Sequence, residues 1–357
     1  MPATMNPARL AVPIRVDLRH AEDMAGFRAA LAGPLADARI VAVLAKTPGD
    51  GGPADTTRAA FVAAASAEIA RLQSSPAAFV VSGGVEGTTV PNALIVARKT
   101  VPGPARGKAL AIGASVSTVL DNASAGSAAQ IAHARDAVRA ALADGGFVAA
   151  RDVHLVQIKS PAPARFDGPA EAAIGRARSA TALGAMAALG EITMAQARAA
   201  FAKRDLGVWT ARVSVSSAAE FERQETVVFG HAPGWAGDLH IAHGALADPL
   251  DLPAVVRVLA KLGLDAKPQL TEAARTRLIA CLAKSGPPAD GRLRGVDLAF
   301  GADPSQSPLR RVRGGLGSLI AAATGEPRVF VSGGAEHQGP PGGGIFAAIA
   351  RRKGERA

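Results

Sequence analysis

The chain has 357 residues, 48% of them hydrophobic and only 4% aromatic, with a formal net charge of +10. That length supports a large core built from Ala, Val, Leu and Ile rather than from rings, and no stretch approaches the ~18 apolar residues of a membrane span. The basic residues are dispersed and few stacking aromatics accompany them, which excludes a nucleic-acid face and reads as solvated surface plus a small positive cavity.

Met1 to Leu10 carries no apolar run of signal-peptide length, which fits a cytoplasmic protein. Arg9 to Asp17 alternates as a strand, Ala21 to Ala36 has a helical period, and Ile40 to Lys46 is an apolar strand ending in lysine. Asp55 is placed to cap a helix over Thr56 to Leu72, with Arg58 in its first turn. Ala78 to Ser82 is a third strand that runs into Gly83-Gly84, and Ala93 to Ala97 is a fourth. Pro102 to Gly107, with its prolines and glycines, is the best linker in the chain.

Beyond it come a strand at Ala109 to Val116, an Ala-rich helix over Asp121 to Ala143, and a second strand ending in lysine, Val153 to Lys159. Arg178 opens the next helix within Gly175 to Gly184; its spacing to the apolar helix face matches that of Arg58 better than Arg176 does. A helix over Met194 to Lys203 precedes the strand Thr210 to Ser216, whose serine is followed by Ser217-Ala218 in place of two glycines. Val227 to His243 carries His231, His240 and His243, which fit no zinc spacing and read as hydrogen-bonded packing residues. Asp248-Pro249 to Leu252-Pro253 marks a boundary by its turn chemistry.

The last third holds a helix or strand at Val255 to Leu262, a helix at Thr271 to Thr276, and a third lysine strand, Leu278 to Lys284. The single cysteine, Cys281, lies inside that strand, so no disulfide framework exists and a reducing compartment is expected. A polar loop, Ser285 to Gln306, leads to a helix over Pro308 to Ala323 that holds Arg310, Arg311 and Arg313, with Arg313 best placed for the role of Arg58. The strand Arg328 to Ser332 then runs into the glycine-rich turn that ends at Gly344, and the basic tail Arg351 to Ala357 needs no function.

Two elements recur three times: a strand ending in Lys46, Lys159 or Lys284, and a strand delivering Ser82, Ser216 or Ser332 into a turn. They imply an α/β fold of three similar units, 1–103, 104–249 and 250–357, set around one central site with pseudo-threefold symmetry. A single Ser-Gly-Gly could be only a strand-ending turn, but a lysine precedes each one. A lysine at the tip of a buried strand, among other cations, has a lowered pKa and can take a proton from a serine hydroxyl. Three arginines, with the turns at Ser82-Gly83, Ser216-Ser217 and Ser332-Gly333, would hold the carbonyl oxygens of a small planar ring. Residue chemistry alone does not choose among the three Lys/Ser pairs, although the second turn is the divergent one.

With the segment Ser332-Gly-Gly-Ala-Glu-His-Gln-Gly-Pro-Pro-Gly-Gly-Gly344 and the three ordered Lys/Ser pairs, nearly the whole chain resembles the ring-opening amidohydrolases, the cyanuric acid hydrolase and barbiturase family. The resemblance implies that Ser216 attacks a ring carbonyl while Lys159 takes its proton, and that Lys46, Arg58, Ser82, Gly83, Arg178, Ser217, Lys284, Arg313, Ser332 and Gly333 bind substrate. It implies ring opening of cyanuric acid to carboxybiuret, which loses carbon dioxide to give biuret. The alternatives are barbituric acid, opened to ureidomalonate, another cyclic amide, or a non-catalytic protein that binds a ring. The resemblance also implies a homotetramer and no organic cofactor. It allows a structural magnesium or calcium ion on turn oxygens at Ala335, Gln338, Gly339, Pro340 and Gly343 with a glutamate just after the third lysine; here Lys284 is followed by Ser285-Gly286-Pro287, and the first acid is Asp290.

Overall fold

A computed structural model describes residues 7–52, 54–105, 107–298 and 307–353. The first residues of the N-terminal stretch, the far part of the polar loop to Gln306 and the end of the basic tail lie outside them.

The first unit runs β1 (Ala8–Asp17), α1 (Ala25–Ala32), β2 (Arg39–Thr47), α2 (Thr57–Ala70), β3 (Ala78–Gly83) and β4 (Asn92–Val101). The second runs β5 (Ala109–Val119), α3 (Ala129–Gly145), β6 (Val153–Pro161), α4 (Ala170–Ala188), α5 (Met194–Lys203), β7 (Val213–Ala218) and β8 (Arg223–Ala232). After the short β9 (Trp235–Ala236), the third runs β10 (Leu239–Leu246), α6 (Leu252–Lys261), α7 (Glu272–Arg275), β11 (Leu278–Ser285), the hairpin β12 (Arg292–Leu293) and β13 (Val296–Asp297), α8 (Pro308–Thr324), β14 (Val329–Gly333) and β15 (Gly344–Arg351).

The three main sheets share one order: serine strand, lysine strand, return strand, opening strand. They read β3-β2-β4-β1, β7-β6-β8-β5 and β14-β11-β15-β10, with β9 added to the first beside β1. Each lysine strand even has its register shift at the same place, near Ile40, Val153 and Leu278. A shared bulge is a backbone feature that side-chain drift does not erase. The resulting α/β fold has three equivalent units.

Hydrogen bonding moves one boundary. β10 pairs along its length with β15 and opens the third sheet, although a division at 249/250 leaves it in the second unit. The turn chemistry at Asp248 to Pro253 marks a helix start instead: the Asp251 side chain accepts the Ala254 N–H and a proline occupies the first turn of α6. Other differences are local. The helix expected from Asp121 begins at Ala129 because Asp121 folds its own turn, accepting from Ser124 N and Oγ, and Val255 to Leu262 is helical with an apolar face on the third sheet.

The inner faces of all three sheets meet in one apolar core that includes Val80, Phe229, Leu282 and Phe330. Their outer faces are covered by helices, α1 and α2 over the first and α6 and α8 over the third. Inner packing therefore aims the carboxyl ends of the lysine and serine strands at a common centre. β9 ties units together: Trp235 is buried, donates Nε1–H to Gly145 O at 2.9 Å, and carries the Arg9 guanidinium 4.6 Å from its ring. Cys281 is core, its thiol pushed up to about 12 by burial. Among the described residues no helix is long and apolar enough to cross a membrane.

Candidate active site

Parallel pairing sets each lysine beside its serine. Lys46 is in register with Ser82, Lys159 with Ser216 and Lys284 with Ser332, so both side chains of a pair leave the same face of the sheet. Ser82, Ser216 and Ser332 line one cavity of about 130 Å³, together with Arg58, Arg178, Arg313, Gly83, Ser217 and Gly333. Because an apolar cavity of about 150 Å³ accepts benzene, this one has room for a single six-membered ring.

The lysines are not equivalent. Lys46 Nζ donates to Gly83 O at 2.9 Å and Ser82 Oγ at 3.3 Å. Lys284 Nζ donates to Val215 O at 2.6 Å and Gly333 O at 2.7 Å. Lys159 alone of the three lines the cavity, and among the described residues its Nζ has no hydrogen-bond partner, resting 4.6 Å from the centre of the Phe221 ring. Burial lowers all three pKa values. For Lys46 and Lys284 the drop is large, with Arg313 and Arg178 adding to it. Lys159 is lowered to about 7 by burial, with Glu220 and Glu225 opposing and Arg58 assisting. Desolvation, not the neighbouring lysines, is the main cause.

Each arginine is held by a glutamate of the next unit. Arg58 on α2 pairs with Glu220, Arg178 on α4 with Glu336 at 2.7 Å, and Arg313 on α8 with Glu86 at 2.6 Å from its Nε. Each glutamate lies four residues after a cavity serine, so the pairs link unit one to two, two to three and three back to one. Arg178 and Arg313 bind both carboxylate oxygens through Nε and Nη2, a fork that fixes the guanidinium plane and leaves Nη1 without a partner among the described residues. Although burial opposes it, Arg178 holds Glu336 below the usual carboxylate range. Arg176, by contrast, stacks on Phe201 at 4.2 Å and does not line the cavity.

The serine turns follow two patterns. Gly84 and Gly334 take φ of +86° and +76°, and a Cβ there would sit 2.4 Å from the Arg313 and Arg178 guanidinium groups. Only glycine tolerates both conditions. In the second unit β7 stays paired through Ser217 and Ala218, opposite Ser160 and Pro161, so Ser216 sits within extended strand, 3.4 Å from Ser332 Oγ. Ser217 Oγ is 2.6 Å from Ser160 Oγ.

The model of the amidohydrolase ring-opening protein family matches residues 13–351. The chain belongs to this family. A cyanuric acid amidohydrolase of Methylobacterium sp. strain 4-46 is 38% identical over 97% of the chain and 98% of that protein. A cyclic amide hydrolase of Azorhizobium caulinodans is 34% identical over 87% of the chain and 91% of that protein. The crystal structure of a cyanuric acid hydrolase from A. caulinodans superposes with a TM-score of 0.87 at 34% identity, covering 97% of this chain and 99% of the other.

In this ring-opening amidohydrolase the glycine-rich turn offers a divalent cation no uncommitted carboxylate among the described residues. Gln338 Oε1 accepts the Val215 N–H at 2.6 Å, and Gly343 O accepts from both Gly286 N and Ser285 Oγ at 3.1 Å. Gly339 N donates to Thr210 O, Pro340 O accepts from Gly343 N, and Ala335 O accepts from Gln338 N. The turn's carboxylate, Glu336, is taken by Arg178, and a Cβ at Gly286 would lie tightly, 3.1 Å from Ala335 N. The carbonyls of Ala335, Pro340 and Gly343 already accept hydrogen bonds and are neutral, whereas magnesium and calcium take carboxylate-rich oxygen shells. Among the described residues no group of three or more His, Cys, Asp or Glu could hold a metal. His231 and His243 instead sandwich His154, each with a ring nitrogen 3.1 Å from it.

Sequence reasoning missed the three glutamates. Their signal was present, since Glu86, Glu220 and Glu336 recur at one offset from the serines, but their partners lie in other units.

Proposed function

We propose that this chain hydrolyses a cyclic amide, cyanuric acid, with Ser216 as nucleophile and Lys159 as its base. The observation that carries the reading is Lys159 itself, the one lysine at the cavity wall with an uncommitted amine and a pKa lowered to about 7. As Ser216 Oγ bonds to a ring carbonyl carbon, its proton passes to Lys159 Nζ and the carbonyl electron pair moves to oxygen. Guanidinium and serine-turn N–H groups face that oxyanion. Collapse breaks the ring C–N bond, and the lysine ammonium returns the proton to the leaving nitrogen. Water, deprotonated by the same amine, then attacks the acyl carbon; the bond from that carbon to Ser216 Oγ breaks, the lysine ammonium returns its proton to Oγ, and carboxybiuret leaves and loses carbon dioxide to give biuret.

The names of the relatives support this class and favour cyanuric acid over barbituric acid. A protein that only binds a ring has no use for a buried amine whose pKa is lowered to about 7. Lys46 and Lys284 do not line the cavity; they brace the other two serine turns by donating to Gly83 O and Gly333 O, and those turns serve substrate binding. The homotetramer belongs to the same proposal, and a molar mass by light scattering checks it.

The test is ultraviolet loss of cyanuric acid and of barbituric acid, separately, with purified protein and with Ser216→Ala. Turnover of cyanuric acid that vanishes in the variant is expected. Turnover surviving in Ser216→Ala would overturn the nucleophile, and an inert wild type would overturn the substrate.

A further inference from the structure

We infer that Glu225 is a positioning residue for Lys159, a carboxylate set across the strand pair to balance the ammonium that forms when the lysine takes its proton. The inference rests on the reading of Lys159 as the base.

Threefold symmetry supplies the internal control. In each unit the residue opposite the lysine on the return strand is fixed by register: Asn92 opposite Lys46, Glu225 opposite Lys159 and Ile345 opposite Lys284. Antiparallel partners share a face of the sheet, so the second lysine alone has an ionisable group at this position. Asn92 is spent on Val90 O, and Ile345 is core.

Lys159 is acted on by Glu220, Arg58, Glu225 and Asp55, and it in turn acts on Lys284. Two of the three carboxylates, Glu220 and Asp55, share Arg58 as their cation. Among the described residues Glu225 pairs with no cation; its carboxylate accepts the Phe79 N–H from β3 of the first unit, a backbone bond that holds it in place. It makes no ion-pair contact with Lys159 among the described residues. That separation matters, because a contact pair would keep the lysine protonated and useless as a base, whereas a buried carboxylate out of direct contact still stabilises the transient ammonium. Burial pushes the Glu225 carboxyl up to about 7, with Phe79 and Lys159 opposing. Above that pH the carboxylate is charged while the lysine is free to accept.

The experiment compares Glu225→Gln and Glu225→Asp with wild type in kcat, KM and the pH profile of kcat/KM. Gln keeps the shape and an acceptor for Phe79 N–H but removes the charge. Its kcat should fall about 10- to 100-fold with KM within about threefold, and the acid limb should move down by about 0.5 to 1 pH unit, because Lys159 loses a group that raises its pKa. Asp keeps the charge and should hold kcat within about fivefold of wild type with the limb in place. An unmoved limb and a kcat within about twofold in the Gln variant overturn the inference, as does an Asp variant as slow as Gln. Should the Gln variant not fold, Asp decides alone, a loss beyond about tenfold counting against. Retained turnover in Lys159→Met or Ser216→Ala would remove the parent reading, whatever Glu225 does; dead dyad variants beside a wild-type Gln profile remove only this inference.

Discussion

The turns after β3 and β14 are near copies, while the one after β7 departs from both. In the first two, the chain leaves the sheet at a glycine of positive φ packed on a guanidinium, and the lysine beside the serine donates to the carbonyl of the residue after that serine. In the third, the strand continues two residues past Ser216, no glycine is needed, and the lysine amine is left unbonded at the cavity wall. One arrangement commits its lysine to the backbone; the other leaves the Lys159 amine without a hydrogen-bond partner among the described residues, as the proposed mechanism requires. On the proposed mechanism, duplication builds the binding frame and the departure from symmetry is where the chemistry falls.

The comparison breaks first at the serines. Ser216→Ala should lower kcat by at least about 10³-fold, whereas Ser82→Ala and Ser332→Ala should raise KM by about tenfold and leave kcat within about tenfold; steady-state kinetics on the purified variants decides. Equal losses at all three would mean that the units act alike. Next come the arginine locks. Glu86→Gln and Glu336→Gln each remove the charged partner of a two-pronged bond, although Arg178 keeps its ion pair with Glu171, and kcat/KM should drop about 10- to 100-fold, read from progress curves at low substrate.

The smallest effect sharpens the comparison through stability. Lys159 has a native pKa of about 7 against an ordinary 10.5, so between those values the unfolded chain binds more protons and stability rises with pH. Lys159→Met removes that burden and, though inactive, should raise Tm at pH 7 by about 2–5 °C, with the gain shrinking toward pH 10. A calorimetric scan at the two pH values checks the sign. Ala218→Gly should shift Tm by less than about 3 °C, whereas Gly334→Ala, which forces a Cβ against Arg178, should lose more.

Much of this could be read from the residues. Apolar runs ending in Lys46, Lys159 and Lys284 are strands because nothing else accommodates so short and unbroken a hydrophobic stretch beside turn residues, and their order relative to the serines gave the threefold plan. Arg178 and Arg313 were separable from Arg176, Arg310 and Arg311 by helical phase. What could not be read depends on contacts between units. Nothing local tells that β10 leaves the second sheet for the third, since its alternating pattern serves either. Likewise Glu225 carries no motif, and only its register opposite Lys159 gives it meaning.

The ring of arginine and glutamate pairs has a consequence for how the protein acquires its site. Partners Arg58 and Glu220 are 162 positions apart, Arg178 and Glu336 158, and Arg313 and Glu86 227. Contacts this remote in the chain form late, after the entropy of closing long loops has been met, and none can be made within a single unit. The pocket is therefore a product of closure: on refolding, circular dichroism should recover before turnover, and the lag should lengthen when any one of the three pairs is cut.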